Sequence, residues 1–278
     1  MPAFDKEVAE AVELPSEAKI WKYMDLAKFL SLLCTGSLYF ASPSRFQDPF
    51  EGSLPKSHVD AFSGMVQDHA DSLQGMRPHF AARSPEALAQ FDDAIDGFAN
   101  ALKGAQREAT LRFGVNCWHQ CEFESEAMWK LYSAAGQAVA IESTVRQLRA
   151  SLGTAKGVII AQVRYANFDN DPIETGHRHY GLFMKRKSFE HEKELRATIL
   201  LPEEQWTRPE TERGLSVPCD LDVLINRVHV SPFCETYVAS AVRGLCSSEI
   251  RKLAAPVIHS KLFTDQTFNL RVEFRKDT

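Results

Sequence analysis

The chain has 278 residues, of which 44% are hydrophobic and 25% are charged, and its formal net charge is −5. This length and composition suit a globular protein with a sizeable core. The negative net charge excludes a protein whose whole surface attracts nucleic acid, although a local basic face is compatible with it. No stretch approaches the roughly 18 uninterrupted apolar residues of a membrane helix, and the acidic start resembles neither a secretory signal nor a transit peptide. We therefore predict a cytoplasmic protein with no membrane segment.

The first part of the chain predicts a strand, a helix and a second strand. An acidic extension, residues 1–19, precedes a short aromatic strand at residues 20–24. Asp25 can cap a helix whose apolar residues recur at helical spacing, and Gly36 ends that helix. Residues 37–42 form the second strand, and two prolines enforce an irregular polar loop after it.

A helical insertion is predicted between residue 56 and residue 110, approximately. This stretch is rich in alanine, aspartate and glutamine, with breaks at Pro78 and Pro85. Five apolar residues at helical spacing would form its inner face: Leu88, Phe91, Ile95, Phe98 and Leu102.

The rest of the chain alternates short strands with helices of uneven length. The predicted order is strand 113–120, helix 125–136, strand 137–143, helix 144–153, strand 157–166, helix 177–189, strand 194–201, strand 221–232, helix 234–254 and strand 256–263. This pattern is typical of an α+β protein with mixed or antiparallel sheets, and not of a regular doubly wound sheet. We predict a single α+β domain over residues 20–278.

Common catalytic and phosphate-binding motifs do not occur in the sequence. It contains no P-loop, no dinucleotide-binding glycine motif, no nucleophile elbow and no HExxH zinc motif. Cys117 and Cys121 flank His119, but no second cysteine and histidine cluster completes four zinc ligands. We therefore expect no metal.

The loop SRFQDPFEG concentrates three charged side chains around a proline. Asp48 can accept backbone amides in an Asp-Pro turn, which predicts a well-tied structural loop. Loops also supply binding groups, so a pocket lined by Arg45, Asp48 and Glu51 is the alternative.

The helix MWKLY places Trp129 and Tyr132 three residues apart, on one helix face. Large aromatic side chains most often pack in the core, so core packing is the first interpretation of this pair. The alternative is a wall on which a planar ring stacks, with the tyrosine hydroxyl as a polar handle.

The stretch KRKSFEHEKELRATILL brings acidic and basic side chains together. Its acids are Glu190, Glu192 and Glu194, and its nearby cations are Lys185, Arg186, Lys187 and Arg196. In an extended chain alternate residues share a face, which would bring all three acids together. In a helix Glu190 and Glu194 would still share a face, so two acids converge either way. The cluster is either an ion-pair network or a carboxylate pair that stabilises a cationic transition state or deprotonates a nucleophile.

Three strings together resemble a widespread bacterial family that is catalogued only as a domain of unknown function. They are WKYMDLAKFLSLLCTGSLYFASPSRFQDPFEG, CWHQCEFESEAMWKLYSAAGQAVAIES and KRKSFEHEKELRATI. The resemblance extends from about Trp21 to Phe263 and carries the patterns FxDPFE, MWxxY and ExExR. Gln47 stands where the family pattern has asparagine. This resemblance implies a fold family without an assigned reaction.

The layout of strands and the ExE pattern also resemble mono-ADP-ribosyltransferases, in which split antiparallel sheets hold NAD. The resemblance implies that Tyr23 or Arg45 holds the nucleotide and that Ser42 lies on the serine-bearing strand. It further implies that Tyr132 stacks on nicotinamide. Glu194 would match the catalytic glutamate, with Glu192 two residues before it. Trp129 and Arg196 complete the predicted set of residues that bind the NAD co-substrate.

The sequence thus predicts an NAD-consuming enzyme that transfers ADP-ribose or hydrolyses NAD, in the manner of a toxin or an anti-phage effector. The acceptor is a protein, a nucleic acid or a small molecule, and the sequence selects neither among these nor an oligomeric state. Two alternatives remain open at this point: a non-catalytic module that binds a ligand or partner, and a metal-dependent nuclease that uses the same acids.

Overall fold

The computed structural model describes residues 14–46, 48, 50–52, 60, 64, 67–68, 71–132, 137–153, 155–171, 180–248 and 252–263, with the backbone alone at 98–110 and 180. The described strands, numbered in chain order, are β1 Lys19–Asp25, β2 Ser37–Ala41, β3 Phe113–Gln120, β4 Ala138–Thr144, β5 Ile159–Gln162, β6 Arg164–Ala166, β7 Met184–Arg186, β8 Glu194–Leu200, β9 Gly214–Pro218, β10 Arg227–Val230 and β11 Val257–His259. The described α-helices are α1 Leu26–Thr35, α2 Arg77–Ala81, α3 Pro85–Leu111, α4 Glu126–Tyr132, α5 Val145–Ser151, α6 Glu203–Trp206, α7 Leu221–Leu224 and α8 Thr236–Cys246. Short 3-10 turns lie at Pro43–Arg45, Tyr180–Phe183, Lys187–Glu192 and Glu210–Glu212. The predicted α+β class is confirmed.

The main sheet divides into two arms at β3. Its order is β11-β10-β4-β1-β3-β2-β9, with β8 on β3 and β5 on β8. β8 pairs with β3 from Phe113 to His119 along one edge. β1 pairs with the last residues of β3, and β2 pairs with its middle through Ala41. Because a strand has only two edges, β1 and β2 share the edge opposite β8.

The first strand–helix–strand unit forms as its local signals predict. The Asp25 side chain accepts a hydrogen bond from the Lys28 backbone N–H at 2.8 Å and so caps α1. Gly36 ends the helix with φ at +58°, a left-handed conformation that glycine adopts without a steric penalty. Phe29 and Leu33 are buried beneath the helix.

The two faces of β1 enter different clusters because successive side chains point in opposite directions. Ile20 and Met24 belong to the main core with α1 and α5 residues. Trp21 and Tyr23 point to the second face, where they pack with Met128 and other residues of α4 and β4. α4 therefore covers one part of the second face of the sheet.

Residues 177–189 were predicted to be helical, and that prediction is wrong for the described residues 180–189. They form a 3-10 turn, the strand β7, and the beginning of a second 3-10 turn. The extended backbone lets Lys185 and Arg186 reach acidic side chains of the loop after β2. These long-range ion pairs outweigh a weak local helix propensity.

Three smaller differences lie elsewhere in the sheet. The predicted strand 157–166 is divided at Val163, whose N–H donates to the Glu194 carbonyl at 2.8 Å. The predicted strand 221–232 begins as the short helix α7, because Asp220 caps its N-terminus. β9, which pairs with β2 along its whole length, lies between residues 201 and 221, where no strand was predicted.

The insertion is helical in its described part, as predicted. α3 runs for 27 residues, and Phe91 on it stacks on Phe80 of α2 at 4.4 Å between ring centroids. Leu88, Phe91 and Ile95 are half-buried, which fits the predicted inner face. The side chains of Phe98 and Leu102 lie outside the described residues.

The predicted extension, residues 1–19, has a different boundary. Residues 1–13 lie outside the described residues, but Leu14 is buried in the main core and Lys19 begins β1. Ser16 accepts a backbone hydrogen bond from Arg146 at 2.8 Å. Residues 14–18 therefore belong to the domain.

Candidate functional site

A cleft of about 380 Å³ opens on the second face of the sheet, between β1, β3 and β8. Residues of all three sequence motifs line it, including Tyr23, Arg45, Asp48, Glu51, Tyr132, Lys185, Glu192 and Glu194. The structure therefore brings together five of the eight predicted site residues: Tyr23, Arg45, Tyr132, Glu192 and Glu194.

A row of three side chains crosses the floor of this cleft. Trp21 of β1 pairs with His119 of β3, and His119 pairs with Glu194 of β8. Paired residues of neighbouring strands point to the same face of a sheet. The floor is therefore built from an indole, an imidazole and a carboxylate side by side.

Arg196 holds the Glu194 carboxylate in a fixed position. Its Nε and Nη2 each donate to one oxygen of Glu194 at 2.9 Å, and its Nη1 donates to the Leu182 carbonyl at 2.6 Å. Nη2 also lies 2.5 Å from a carboxylate oxygen of Glu51. Arg196 was predicted to bind the co-substrate, and the structure corrects this. The side chain is 1% exposed, and its fork is occupied by protein groups.

Lys185 is the second cation of this cluster. Its Nζ lies 2.6 Å from Glu192, 3.4 Å from Glu194 and 3.9 Å from Glu51. Three carboxylates thus share two cations, Lys185 and Arg196. Within this cluster of five groups, the carboxylates outnumber the cations by one.

The pKa values follow from how these charges are shared. Burial alone would raise the pKa of Glu194, but Arg196 and then Lys185 lower it to about 2. Burial raises the pKa of Glu51, although the same two cations oppose that rise. Arg196 donates to both oxygens of Glu194, and this bidentate contact explains why Glu194 keeps its charge more easily than Glu51 does.

The aromatic wall of the cleft consists of two tyrosines. Tyr23 and Tyr132 lie with ring centroids 6.5 Å apart and planes at 25°. The Tyr23 hydroxyl accepts a hydrogen bond from the Ser125 N–H at 2.9 Å, so the ring of this buried residue is fixed. Tyr132 is 40% exposed and lines the cleft.

Trp129 was predicted to contact the co-substrate, and the structure corrects this. Its side chain is fully buried, and its Nε1 donates to Glu124 at 3.0 Å. Its ring meets that of Tyr23 edge to face at 5.0 Å. Core packing, the first alternative for this residue, is therefore observed, and Trp129 supports the aromatic wall from behind.

The loop after β2 contributes both structure and lining. Asp48 accepts the Phe50 N–H at 3.1 Å, as its turn role predicts, and pairs with Arg186 at 2.8 Å. Arg45 is exposed at the rim, where its Nη1 donates to the Tyr39 hydroxyl at 2.8 Å. Ser42 is fully buried, bonds to Ser44 and does not line the cleft, which corrects its predicted role.

Glu190 differs from the other two acids of its stretch. It is exposed and points away from the cluster, because residues 187–192 form a 3-10 turn in which alternate residues do not share a face. The acids that converge are therefore Glu192 and Glu194.

Several cleft residues were not predicted as site residues, and two of them lie on β3. His119 and Cys117 alternate on β3, and this spacing in FGVNCWHQ is the signal that places both on one face. Burial raises the pKa of Cys117 well above its usual value, so it remains a thiol and not a nucleophilic thiolate. His119 is 3% exposed.

Comparison with known proteins found no protein-family model, no curated protein and no solved structure that matches this chain. The two resemblances stay predictions. Among the described residues, no group of three or more histidine, cysteine, aspartate and glutamate side chains could hold a metal ion. In that same part of the chain, no helix has the length and apolarity needed to cross a membrane. The described fold and cleft define an α+β protein with an acidic, aromatic pocket.

Proposed function

We propose that the cleft binds NAD and breaks the bond between nicotinamide and ribose, with transfer of ADP-ribose to an acceptor or to water. The observation that carries this proposal is the excess negative charge of Glu51, Glu192 and Glu194 beside an aromatic wall. The nicotinamide ring of NAD is planar and positively charged. An exposed tyrosine face and a nearby negative charge suit such a ring.

The same charge favours the transition state of the reaction. Positive charge develops on the ribosyl carbon as nicotinamide leaves, and fixed negative groups stabilise it. Arg196 holds Glu194 in place before the reaction begins, so no rearrangement is needed at that moment. Glu192, at 21% side-chain exposure, lies nearer to solvent and orients the acceptor.

Two further features support a dinucleotide ligand. Arg45 is an exposed cation at the rim, in a position to bind a phosphate of NAD. The sheet divides into two arms at β3, and the cleft lies beside this division, which fits the split-sheet pocket that the resemblance implies. A protein that consumes NAD in this way would act as a toxin or an anti-phage effector.

The test is the release of nicotinamide from NAD by the purified protein, measured by chromatography. Glu194→Gln should lower the rate by about 100-fold or more, as the loss of one transition-state stabiliser does. Glu190→Gln is the matched control, because this glutamate lies in the same stretch but is exposed and outside the cleft. Absence of release by the wild-type protein would refute the proposal, and equal rates for both variants would refute the role of Glu194. Thermal melting checks that each variant is folded.

A second candidate is binding of a cationic ligand without turnover. It is favoured by the two hydrogen bonds through which Arg196 occupies both oxygens of Glu194. Saturable binding of NAD with no release of nicotinamide would distinguish this function from the first.

A further inference from the structure

His119 lies at the centre of the cleft floor, between Trp21 and Glu194 in the row across β1, β3 and β8. His119 is only 3% exposed, and it lines the cleft. The proposed reaction needs a group that accepts the proton of the attacking hydroxyl or water. The contacts of His119 make it such a group.

Hydrogen bonding determines which nitrogen of the imidazole carries the proton. Nδ1 lies 2.6 Å from the backbone carbonyl oxygen of Glu192. A carbonyl oxygen only accepts, so Nδ1 is the protonated nitrogen and donates to it. Nε2 of the neutral ring is therefore a bare acceptor. It is buried and has no hydrogen-bond partner among the described residues.

The surroundings keep this ring neutral at physiological pH. Burial lowers the pKa of His119, and electrostatic interactions with Lys193 and with the imidazole of His191 act in the same direction. The Glu192 carbonyl and carboxylate oppose this shift but do not overcome it. The Glu194 carboxylate of the neighbouring strand also borders the ring in the cleft.

Two carboxylates of the cleft, Glu194 and Glu192, differ from this nitrogen because cations already occupy them. Both oxygens of Glu194 accept hydrogen bonds from Arg196, and although burial raises the pKa of Glu194, Arg196 and Lys185 lower it to about 2. Glu192 is bound to Lys185 at 2.6 Å. Nε2 of His119 has no such partner among the described residues.

We infer that His119 is the general base of the cleft, and that the acceptor it serves is a hydroxyl group or water. This inference rests on the proposed function. The bond between the ribosyl carbon and the nicotinamide nitrogen breaks, and its electron pair leaves with nicotinamide, which becomes neutral. A lone pair of the acceptor oxygen forms the new carbon–oxygen bond, and the proton of that oxygen passes to Nε2. The imidazolium then releases this proton to solvent.

His119→Asn isolates the role of Nε2. The asparagine amide nitrogen takes the place of Nδ1 and can still donate to the Glu192 carbonyl, whereas Nε2 is lost. The matched control is His79→Asn, which changes an exposed histidine of α2 in the helical insertion. Initial rates of nicotinamide release give kcat and KM between about pH 5 and about pH 9.

The wild-type kcat should rise with pH through a pKa below 6.5, the ordinary value for histidine, and then become constant. His119→Asn should lower kcat by about 100-fold or more, change KM little and abolish that rise. His79→Asn should behave as wild type. A wild-type kcat and pH profile in His119→Asn would overturn the inference while leaving the proposed function intact. A wild-type protein that releases no nicotinamide would overturn both.

Nitrogen NMR of the wild-type protein tests the same inference without a variant. We expect a protonated Nδ1 and a bare Nε2 that titrates below pH 6.5. If Nε2 carries the proton and Nδ1 does not, the inference is wrong, even where His119→Asn fails to fold.

Discussion

Glu51 and Arg196 form a buried ion pair, with a carboxylate oxygen 2.5 Å from Nη2, and both side chains are at most 2% exposed. This pair joins the DPFE segment of the loop after β2 to the ExExR segment at the start of β8. Arg196 also holds Glu194, so the same contact fixes the position of the proposed catalytic carboxylate. Two sequence motifs therefore form one structural unit beneath the cleft.

Loss of Arg196 should destabilise the protein strongly. Arg196→Met leaves the carboxylates of Glu51 and Glu194 buried with one cation fewer, and removing one partner of a buried pair costs about 3–5 kcal/mol. Urea denaturation at neutral pH measures this loss. Arg146→Met is the control, because Arg146 and its partner Glu17 are exposed. Equal midpoints for the two variants would show that the buried network contributes little.

Acid should remove the stability that Glu194 provides. Its pKa is lowered from 4.5 to about 2 in the folded protein, so its contribution is complete above about pH 4.5 and is lost as the pH falls toward 2. The difference in unfolding free energy between wild type and Glu194→Gln should therefore shrink over this range. The pKa shift of Glu194 alone corresponds to a change of about 3 kcal/mol in this difference. A difference that stays constant from pH 6 to about pH 2 would contradict this account.

The charged form of Lys22 should destabilise the folded protein, and this destabilisation should decrease as the pH rises. Its Nζ donates to the Cys117 carbonyl at 3.0 Å, and burial lowers its pKa from 10.5 to about 8. The unfolded chain then binds more protons between these two values, so the Lys22 contribution to stability rises with pH there. Relative to Lys22→Met, the unfolding free energy of wild type should increase by about 3 kcal/mol from pH 8 to pH 10.5. A flat or falling difference would show that Lys22 is not buried as a charge.

The excess negative charge should discriminate between two ligands of the same shape. Ring-methylated nicotinamide is a stable planar cation, and nicotinamide is its neutral counterpart. We expect the cation to bind more tightly, and the advantage to fall as salt is added. Equilibrium titration followed by NMR measures both affinities. Tighter binding of the neutral ring would contradict the charge argument on which the proposed function depends.

Tyr132 should contribute to binding through its ring and not its hydroxyl. Tyr132→Phe keeps the stacking surface next to Tyr23, so its affinity for the methylated nicotinamide cation should equal that of wild type. Tyr132→Ala should bind about fivefold more weakly, which corresponds to about 1 kcal/mol. Tyr237→Ala, on the exposed face of α8, is the control. A loss in Tyr132→Phe equal to that in Tyr132→Ala would assign the effect to the hydroxyl instead.

Local signals in the sequence predicted much of the fold correctly. Asp25 and Gly36 define both ends of α1, because a cap and a left-handed glycine act within a few residues of themselves. The strands β3 and β8 were predicted from the apolar residues within each segment. The described part of the predicted helix 177–189, residues 180–189, was predicted wrongly because spacing does not record its contacts with the loop after β2, which Lys185 and Arg186 make more than a hundred residues earlier in the chain.

The sequence by itself determined which residue types are present for a site: the acids near Glu194, the tyrosines and the loop with Arg45. Only the tertiary structure decided which of them meet. It placed Trp129 and Arg196 in the interior, separated Glu190 from Glu192, and brought His119 to the centre of the cleft. The reason is physical, since periodicity records which face of its own element a side chain occupies. Strand register and buried ion pairs then determine which faces are brought together.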